Sequence, residues 1–243
     1  MNHHIVKVEN LGYTYPDGTP ALRGVSFSVP HGEAVALVGG NGAGKSTLLR
    51  HFTGCLLPSE GTLSVGGLRL AKENLPALRR AVGMVFQNPD DQLFMPTVGE
   101  DVAFGLRALG LPEKELENRA LKALETVGAA HLRARPPYRL SQGEKRAAAI
   151  AGVLAMEPDV LVMDEPTSNL DPLSRRRLIN LLKTFRHTRF IATHDLDFAL
   201  EVCPRTIVIH KGAVTADGPS AEIFRDAALL ERSSLESPPS LRR

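Results

Sequence analysis

The stretch Gly39-Gly-Asn-Gly-Ala-Gly-Lys-Ser46 decides the fold, because it matches the pattern G-x-x-x-x-G-K-[ST]. It follows a short apolar run, Ala34–Val38, and it opens a segment with helical periodicity. Glycines let successive backbone N–H groups curl around phosphate oxygens, and the N-terminus of the next helix adds positive potential. A glycine-rich turn before a helix is the alternative interpretation. The strand–loop–helix context favours a site for a nucleotide phosphate.

Two side chains of this loop have distinct expected roles. Lys45 should reach the β and γ phosphates, and the Ser46 hydroxyl should ligate Mg²⁺. The motif alone does not separate kinases, GTPases and motor ATPases.

A second apolar run, Val160–Met163, ends in two acids, Asp164 and Glu165. The carboxyl ends of parallel strands face the ligand in such sheets, so Asp164 can hold Mg²⁺ and Glu165 can act as general base toward the attacking water. Solvated acids in an ordinary turn are the alternative, which the phosphate loop makes the weaker interpretation.

Strands that alternate with helices predict an α/β fold, a P-loop NTPase (RecA-like) core with a mainly parallel sheet. An N-terminal antiparallel β segment and an inserted helical subdomain complete the prediction. The predicted nucleotide-binding core comprises residues 1–88 and 140–230, and the helical subdomain comprises 89–139. The Ser/Pro/Arg-rich tail, 231–243, is expected to be disordered.

Hydrophobic periodicity places the individual elements. The predicted strands are Ile5–Leu11, Gly24–Val29, Ala34–Val38, Gly61–Val65, Ala81–Phe86, Val160–Met163, Phe190–Thr193, Thr206–His210 and Ala213–Ala216. The predicted helices are Lys45–Thr53, Thr97–Leu109, Glu113–Val127, Ser141–Ala155 and Pro172–His187.

Composition excludes several classes of protein. The net charge of the 243 residues is +2 without a basic block, which gives no case for nucleic acid. Two isolated cysteines favour a reducing compartment. The chain start has no signal-peptide pattern, and the histidines there, His3 and His4, are expected to be surface residues rather than a metal site. The longest near-apolar stretch, Ala147–Met156, is about half the ~20 residues a membrane span needs, so the chain should not span a membrane.

The segment Leu140-Ser-Gln-Gly-Glu-Lys-Arg146 precedes the acidic strand. Together with the motifs above it resembles the signature, usually LSGGQ, of the ATP-binding cassettes of ABC transporters, and the resemblance covers roughly residues 5–220. Gln142 replaces a signature glycine, and Glu144 replaces the usual glutamine. Ser141-x-x-Glu144 also forms a capping-box pattern, which would orient the following helix toward phosphate.

The resemblance implies ATP and Mg²⁺ as cofactors and a homodimer, or a heterodimer with a paralogue, that sandwiches two nucleotides. It implies that Tyr15, rather than Tyr13, stacks on adenine. The implied ATP-binding residues are Tyr15, Gly39, Gly40, Asn41, Gly42, Ala43, Gly44, Lys45, Ser46 and Thr47. The implied catalytic residues are Glu165, His194, Gln87 and Lys45, and the implied Mg²⁺ ligands are Ser46, Gln87 and Asp164. Ser141, Gly143 and Asp171 would serve the ATP bound by the other subunit.

The stretch Gln87-Asn-Pro-Asp-Asp-Gln-Leu-Phe94 resembles energy-coupling-factor importers of the cobalt/nickel branch. That resemblance implies integral membrane partner subunits and a peripheral location on the cytoplasmic face of the cell membrane. Leu93, Phe94 and Met95 either contact a partner helix or pack internally. Vitamin uptake and a soluble, non-transport ABC ATPase are the alternatives; an exporter half and a P-loop kinase fit less well.

Overall fold

The computed structural model describes residues 6–242, so the predicted strand start at Ile5 and both N-terminal histidines lie outside the described residues. The chain divides into two compact units. The first comprises Met1–Val82, Asp159–Glu165 and Arg186–Arg243, and the second comprises Gly83–Pro158 and Pro166–Phe185. The second unit therefore extends beyond the predicted subdomain boundaries, 89–139, on both sides.

The first unit contains most of the strands. They are β1 (Val6–Thr14), β2 (Pro20–Val29), β3 (Ala34–Val38), β4 (Glu60–Val65), β5 (Leu68–Arg69), β7 (Val160–Asp164), β8 (Thr188–Ala192), β9 (Arg205–His210) and β10 (Ala213–Pro219). Its helices are α1 (Lys45–Phe52), α2 (Leu75–Ala81), α7 (Leu196–Val202), α8 (Ser220–Ile223) and α9 (Ala227–Arg232). The remaining strand, β6 (Val82–Val85), has its first residue in the first unit and the rest in the second.

An antiparallel sheet in the order β2-β1-β4-β5 forms the N-terminal part. Val6 of β1 pairs with Val29 on one side and with Val65 on the other. Their apolar side chains are buried while the intervening residues are exposed, the alternation expected of a sheet with one covered face. This confirms the predicted antiparallel β segment.

The second sheet of this unit contains the run β10-β9-β3-β8-β7. β3 pairs in parallel with β8 and β9, and β7 pairs in parallel with β8, whereas the terminal β10 is antiparallel to β9. Every residue of β3, β7 and β8 is buried, as expected for parallel strands covered on both faces. The mainly parallel sheet is therefore confirmed, and its geometry brings the carboxyl ends of β3, β7 and β8 to one edge.

The second unit is helical. Its helices are α3 (Val98–Arg107), α4 (Glu113–Thr126), α5 (Gln142–Ala155) and α6 (Pro172–Thr184). Leu106 of α3, Leu124 of α4 and Ala148 of α5 belong to one buried apolar cluster. Thr97 caps α3 and Asp171 caps α6, which accounts for where these helices begin.

Some elements differ from the sequence prediction. Helices α2 and α7 were not predicted, because each is only seven residues long and offers too few turns for periodicity to show. The predicted tail begins within the last turn of α9, and the Ser240 N–H donates to Asp197 Oδ1 at 3.2 Å, so this segment has defined contacts where disorder was expected. Within residues 6–242, no helix combines the length and the apolarity required to cross a bilayer.

Candidate active site

The phosphate loop connects β3 to α1 in the first unit. A Cβ on Gly39 would collide with the Ile209 carbonyl oxygen, so only glycine permits this approach to β9. Gly44 is the N-cap of α1 with a left-handed backbone (φ 109°), and a Cβ there would lie 2.7 Å from the Ala21 oxygen. These two close approaches explain why the sequence needs glycine at both positions.

The Lys45 side chain crosses this loop. Its Nζ donates to the Gly39 oxygen at 2.7 Å and to the Gly40 oxygen at 3.2 Å, and the residue is 9% exposed. Burial lowers the pKa of Lys45, while Glu165 and Asp164 act in the opposite direction. The structure thus holds an ammonium group at the mouth of the loop.

The rest of the loop is tied back to the first unit. The Ala43 N–H donates to the Gly40 oxygen at 3.2 Å, and the Ala43 oxygen accepts from the Gly212 N–H at 2.9 Å. Asn41 and Gly42 are exposed at the tip of the loop, and Thr47 is buried on α1.

Asp164 ends β7 and lies next to Ser46 on α1. Burial raises the pKa of Asp164, and a hydrogen bond from Ser46 and the nearby Lys45 oppose that rise. A hydroxyl and a carboxylate are the oxygen ligands that Mg²⁺ prefers, and a cation there would offset the cost of the buried charge. The residues present therefore fit a Mg²⁺ ion.

Glu165 follows directly in a left-handed backbone conformation (φ 45°). Such a conformation costs about 1–3 kcal/mol for a residue with a Cβ, and it is common at active sites. The Glu165 N–H donates to the Ala192 oxygen at 2.8 Å, which fixes the residue to the end of β8. Glu165 Oε2 accepts from the His194 backbone N–H at 3.2 Å and lies 2.8 Å from the ring Nδ1.

The two candidate adenine residues have different surroundings. The Tyr15 hydroxyl lies 2.9 Å from Thr47 Oγ1, which places Tyr15 against α1 directly after the phosphate loop. Tyr13 packs edge-on between Tyr15 and His51, with ring centroids 5.0 Å and 4.9 Å away. Tyr15 is therefore the aromatic residue nearer the loop, with Tyr13 behind it. His51, buried on α1, was not singled out in the sequence.

The remaining candidate residues lie in the second unit. The Ser141 side chain caps α5 at Glu144 N–H, and Glu144 Oε2 accepts from the Ser141 N–H at 2.8 Å. The predicted capping box is confirmed, and the hydrogen bond from Ser141 lowers the pKa of Glu144. We call Ser141–Gly143 the signature turn.

The signature turn packs closely on the start of α6. A Cβ on Gly143 would collide with Ser174 Oγ and lie 2.9 Å from Ser174 Cβ. Ser174 is in turn held by Asp171, whose Oδ1 accepts from the Ser174 N–H at 3.0 Å. Gly143 and Asp171 are thus joined through Ser174, a residue that no sequence motif singled out.

Gln87 lies exposed after β6, and its main chain is held by Arg146 of α5. Of the three apolar residues that follow, Leu93 is buried in the helical cluster, while Phe94 is 63% exposed. Phe94 packs edge-on against Phe104 with centroids 4.9 Å apart.

The mainly parallel sheet, the phosphate loop after β3 and the acidic residues at the end of β7 together define a P-loop NTPase. The family described as ABC transporter matches residues 22–168. A putative ABC transporter ATP-binding protein of Geobacter sulfurreducens is 57% identical over 99% of this chain and 97% of its own length. The energy-coupling factor transporter ATP-binding protein EcfA of Methanothermobacter thermautotrophicus is 48% identical, covering 96% of this chain and 77% of the relative.

Among solved structures, cbiO1 from Clostridium perfringens, part of the ABC transporter complex cbiONQ, superimposes with a TM-score of 0.85. It is 41% identical and covers 95% of this chain and 94% of its own. The chain belongs to the ABC transporter family, as an ATP-binding and ATP-hydrolysing subunit. The family resemblance expected from the sequence is thereby confirmed.

Proposed function

We propose that this chain is the ATPase subunit of an energy-coupling-factor importer that drives uptake of a transition metal ion, cobalt first and nickel next. The observation that carries the ATPase chemistry is the Glu165–His194 pair, which lies within electrostatic range of the buried Lys45. A carboxylate held at a strand end can accept a proton from the attacking water, while a cation neutralises phosphate charge.

ATP would be held by the residues of the phosphate loop, with Tyr15 against the adenine. Mg²⁺ would be held by Ser46 and Asp164, with Gln87 as a further ligand, and it would neutralise charge that develops on the phosphates. The chain contributes a loop backbone, an ammonium group and a general base that are in place before the nucleotide binds, so catalysis rests on positioning and charge.

Two copies of the chain, or this chain and a paralogue, would form the active unit. Ser141, Gly143 and Asp171 would serve the γ-phosphate of ATP bound to the other subunit. The capping box supports this role, because it leaves the N-terminus of α5 oriented and the Ser141 region exposed.

The importer type rests on the stretch Gln87–Phe94 and on the similarity to EcfA and cbiO1. A helix of an integral membrane subunit would contact the aromatic pair Phe94 and Phe104, which are 63% and 51% exposed. An amphipathic helix that lies in an apolar groove is a common mode of recognition. The chain would then lie peripherally on the cytoplasmic face of the membrane.

The test is accumulation of labelled Co²⁺ and Ni²⁺ in cells that carry the native membrane subunits. Cells with Glu165→Gln should lose uptake, whereas a matched control, Glu222→Gln on the exposed face of α8, should retain it. Uptake of both ions that does not change with Glu165→Gln would contradict metal import. If the Glu165→Gln cells then lost vitamin uptake, the chain would belong to the vitamin branch. If they retained both metal uptake and vitamin uptake, a soluble ABC ATPase would be favoured.

A further inference from the structure

Arg146 lies in the second turn of α5 and is buried, with only 3% of its surface exposed. Its Nη1 donates to the Phe86 oxygen at 2.5 Å, and its Nη2 donates to the Gln87 oxygen at 2.6 Å. One guanidinium therefore holds two consecutive carbonyl groups, one of which belongs to the glutamine that we place at the hydrolytic site.

A buried arginine is costly unless its hydrogen bonds compensate for lost hydration. Burial lowers the pKa of Arg146 to about 10, so the side chain remains charged at neutral pH. Charge-assisted hydrogen bonds are shorter and stronger than neutral ones, in agreement with the two distances. The planar guanidinium presents two donors in a fixed geometry, which a lysine cannot reproduce.

Two neighbouring contacts fasten the same segment, residues 86–92, to the same helix. Lys145 Nζ lies 2.6 Å from Asp90 Oδ1. The Gln92 side chain accepts from the Phe86 N–H at 3.3 Å and donates to the Ala149 oxygen at 3.1 Å. The segment is thus attached to α5 at Lys145, Arg146 and Ala149, and it is Arg146 that holds the main chain of Gln87.

The helix that holds Gln87 is also the helix that begins with the signature turn. Ser141 and Arg146 are separated by about one and a half turns of a capped helix. This helical segment is a rigid connection between the signature turn and Arg146. We propose that Arg146 is a positioning residue that joins Gln87 to the signature turn, so that the two sites respond to nucleotide as one body. This inference rests on the proposed function, because it assumes that Gln87 acts in hydrolysis.

A role in folding alone predicts a different response from a role through Gln87. The two are separated by a double-mutant cycle of Arg146→Met and Gln87→Ala. Methionine keeps much of the apolar stem and removes both donors. Single-turnover hydrolysis at saturating ATP keeps slow variants measurable, and the Mg²⁺ concentration for half-maximal rate is recorded for each full-length variant.

We expect Arg146→Met to lower the rate about tenfold and to raise the Mg²⁺ requirement, the size of effect typical of residues in one network. In the Gln87→Ala background the same change should lower the rate less than about twofold, since the group it positions is gone. Lys145→Met, which removes the neighbouring ion pair only, should leave the Mg²⁺ requirement unchanged.

Equal losses in both backgrounds, or an unchanged rate in Arg146→Met, would overturn the inference. If Arg146→Met does not fold, Arg146→Lys replaces it in the cycle with an expected loss of about threefold, subject to the same comparison. Failure of the proposed function looks different: the parent chain itself would not hydrolyse Mg·ATP, or Gln87→Ala would hydrolyse it at the parental rate.

Discussion

His194 and Glu165 are joined through a single oxygen atom, because Glu165 Oε2 accepts from the His194 N–H at 3.2 Å and lies 2.8 Å from its Nδ1. The Glu165 side chain is buried while that of His194 is 69% exposed. The pair thus connects a fixed carboxylate to a histidine that is open to a ligand. Because Oε2 already contacts His194, we expect the other carboxylate oxygen, Oε1, to accept the proton from the attacking water.

Glu165→Gln should therefore retain ATP binding and lose hydrolysis by about 10²–10⁴-fold, because an amide cannot accept the proton. Phosphate release measures the rate, and size-exclusion chromatography with ATP should show an accumulated dimer. Glu222→Gln, an equivalent change on the surface of α8, should behave as the parent. Hydrolysis at the parental rate in Glu165→Gln would remove Glu165 from the role of general base.

Lys45→Ala should weaken ATP binding by at least about tenfold, since charge-assisted hydrogen bonds to a ligand contribute about 1.5–3 kcal/mol each. Titration calorimetry measures the affinity directly. Lys114→Ala on the exposed surface of α4 serves as the control for loss of a positive charge. Unchanged affinity in Lys45→Ala would exclude the proposed phosphate contact.

Gly143→Ala should destabilise the protein by about 1–3 kcal/mol, the usual cost of overpacking, because the new Cβ would lie 2.9 Å from Ser174 Cβ. Gly152→Ala in the same helix is a matched control, since a Cβ there would lie 3.8 Å from its nearest neighbour, Val102 Cα. That change should stabilise by about 0.5–1 kcal/mol through helix propensity. Urea unfolding of both variants decides the matter, and an equal response would contradict the packing argument.

Asp101 Oδ1 accepts from the Phe94 N–H at 2.9 Å and the Met95 N–H at 3.0 Å, and burial raises the pKa of this carboxyl above 3.8. Between pH 3.8 and the raised pKa, the folded state therefore binds more protons than the unfolded state. The contribution of the Asp101 carboxyl to stability is full below pH 3.8 and is lost as the pH rises through the raised pKa.

Asp101→Asn removes this titration, so the difference in unfolding free energy between variant and parent should move in favour of the variant as the pH rises from about 4. The exposed Asp91→Asn provides the control for loss of a carboxylate. Urea unfolding at a series of pH values measures the trend. A constant or opposite difference would show that burial does not raise the pKa of Asp101.

Phe94→Ser should reduce metal uptake in cells while the purified chain continues to hydrolyse ATP, because its exposed ring is proposed to contact a membrane subunit. Burial of a phenylalanine side chain contributes about 1.5–3 kcal/mol, enough to reduce partner affinity about tenfold or more. Tyr138→Ser should leave uptake intact, although it removes an aromatic residue that is 75% exposed and has the Arg139 guanidinium over its ring. Full uptake with Phe94→Ser would place the partner surface elsewhere.

The sequence alone determined the features that depend on local pattern. Ala34–Val38 is a buried strand because it is a continuous apolar run, and the helix begins at Lys45 because the glycines before it allow the required turn. The capping box of Ser141 and Glu144 was equally predictable, since both partners are three residues apart. The short helices α2 and α7 lay below what periodicity can show.

Only the tertiary structure decided contacts between residues that are distant in sequence. Arg146 reaches the Phe86 carbonyl across 60 positions, and Glu165 meets His194 across 29. It also placed Leu93 inside and its neighbour Phe94 outside, which hydrophobicity could not distinguish. The physical reason is that burial and hydrogen-bond partners are supplied by whichever segments the fold brings together, whereas a local pattern records only what neighbouring residues need.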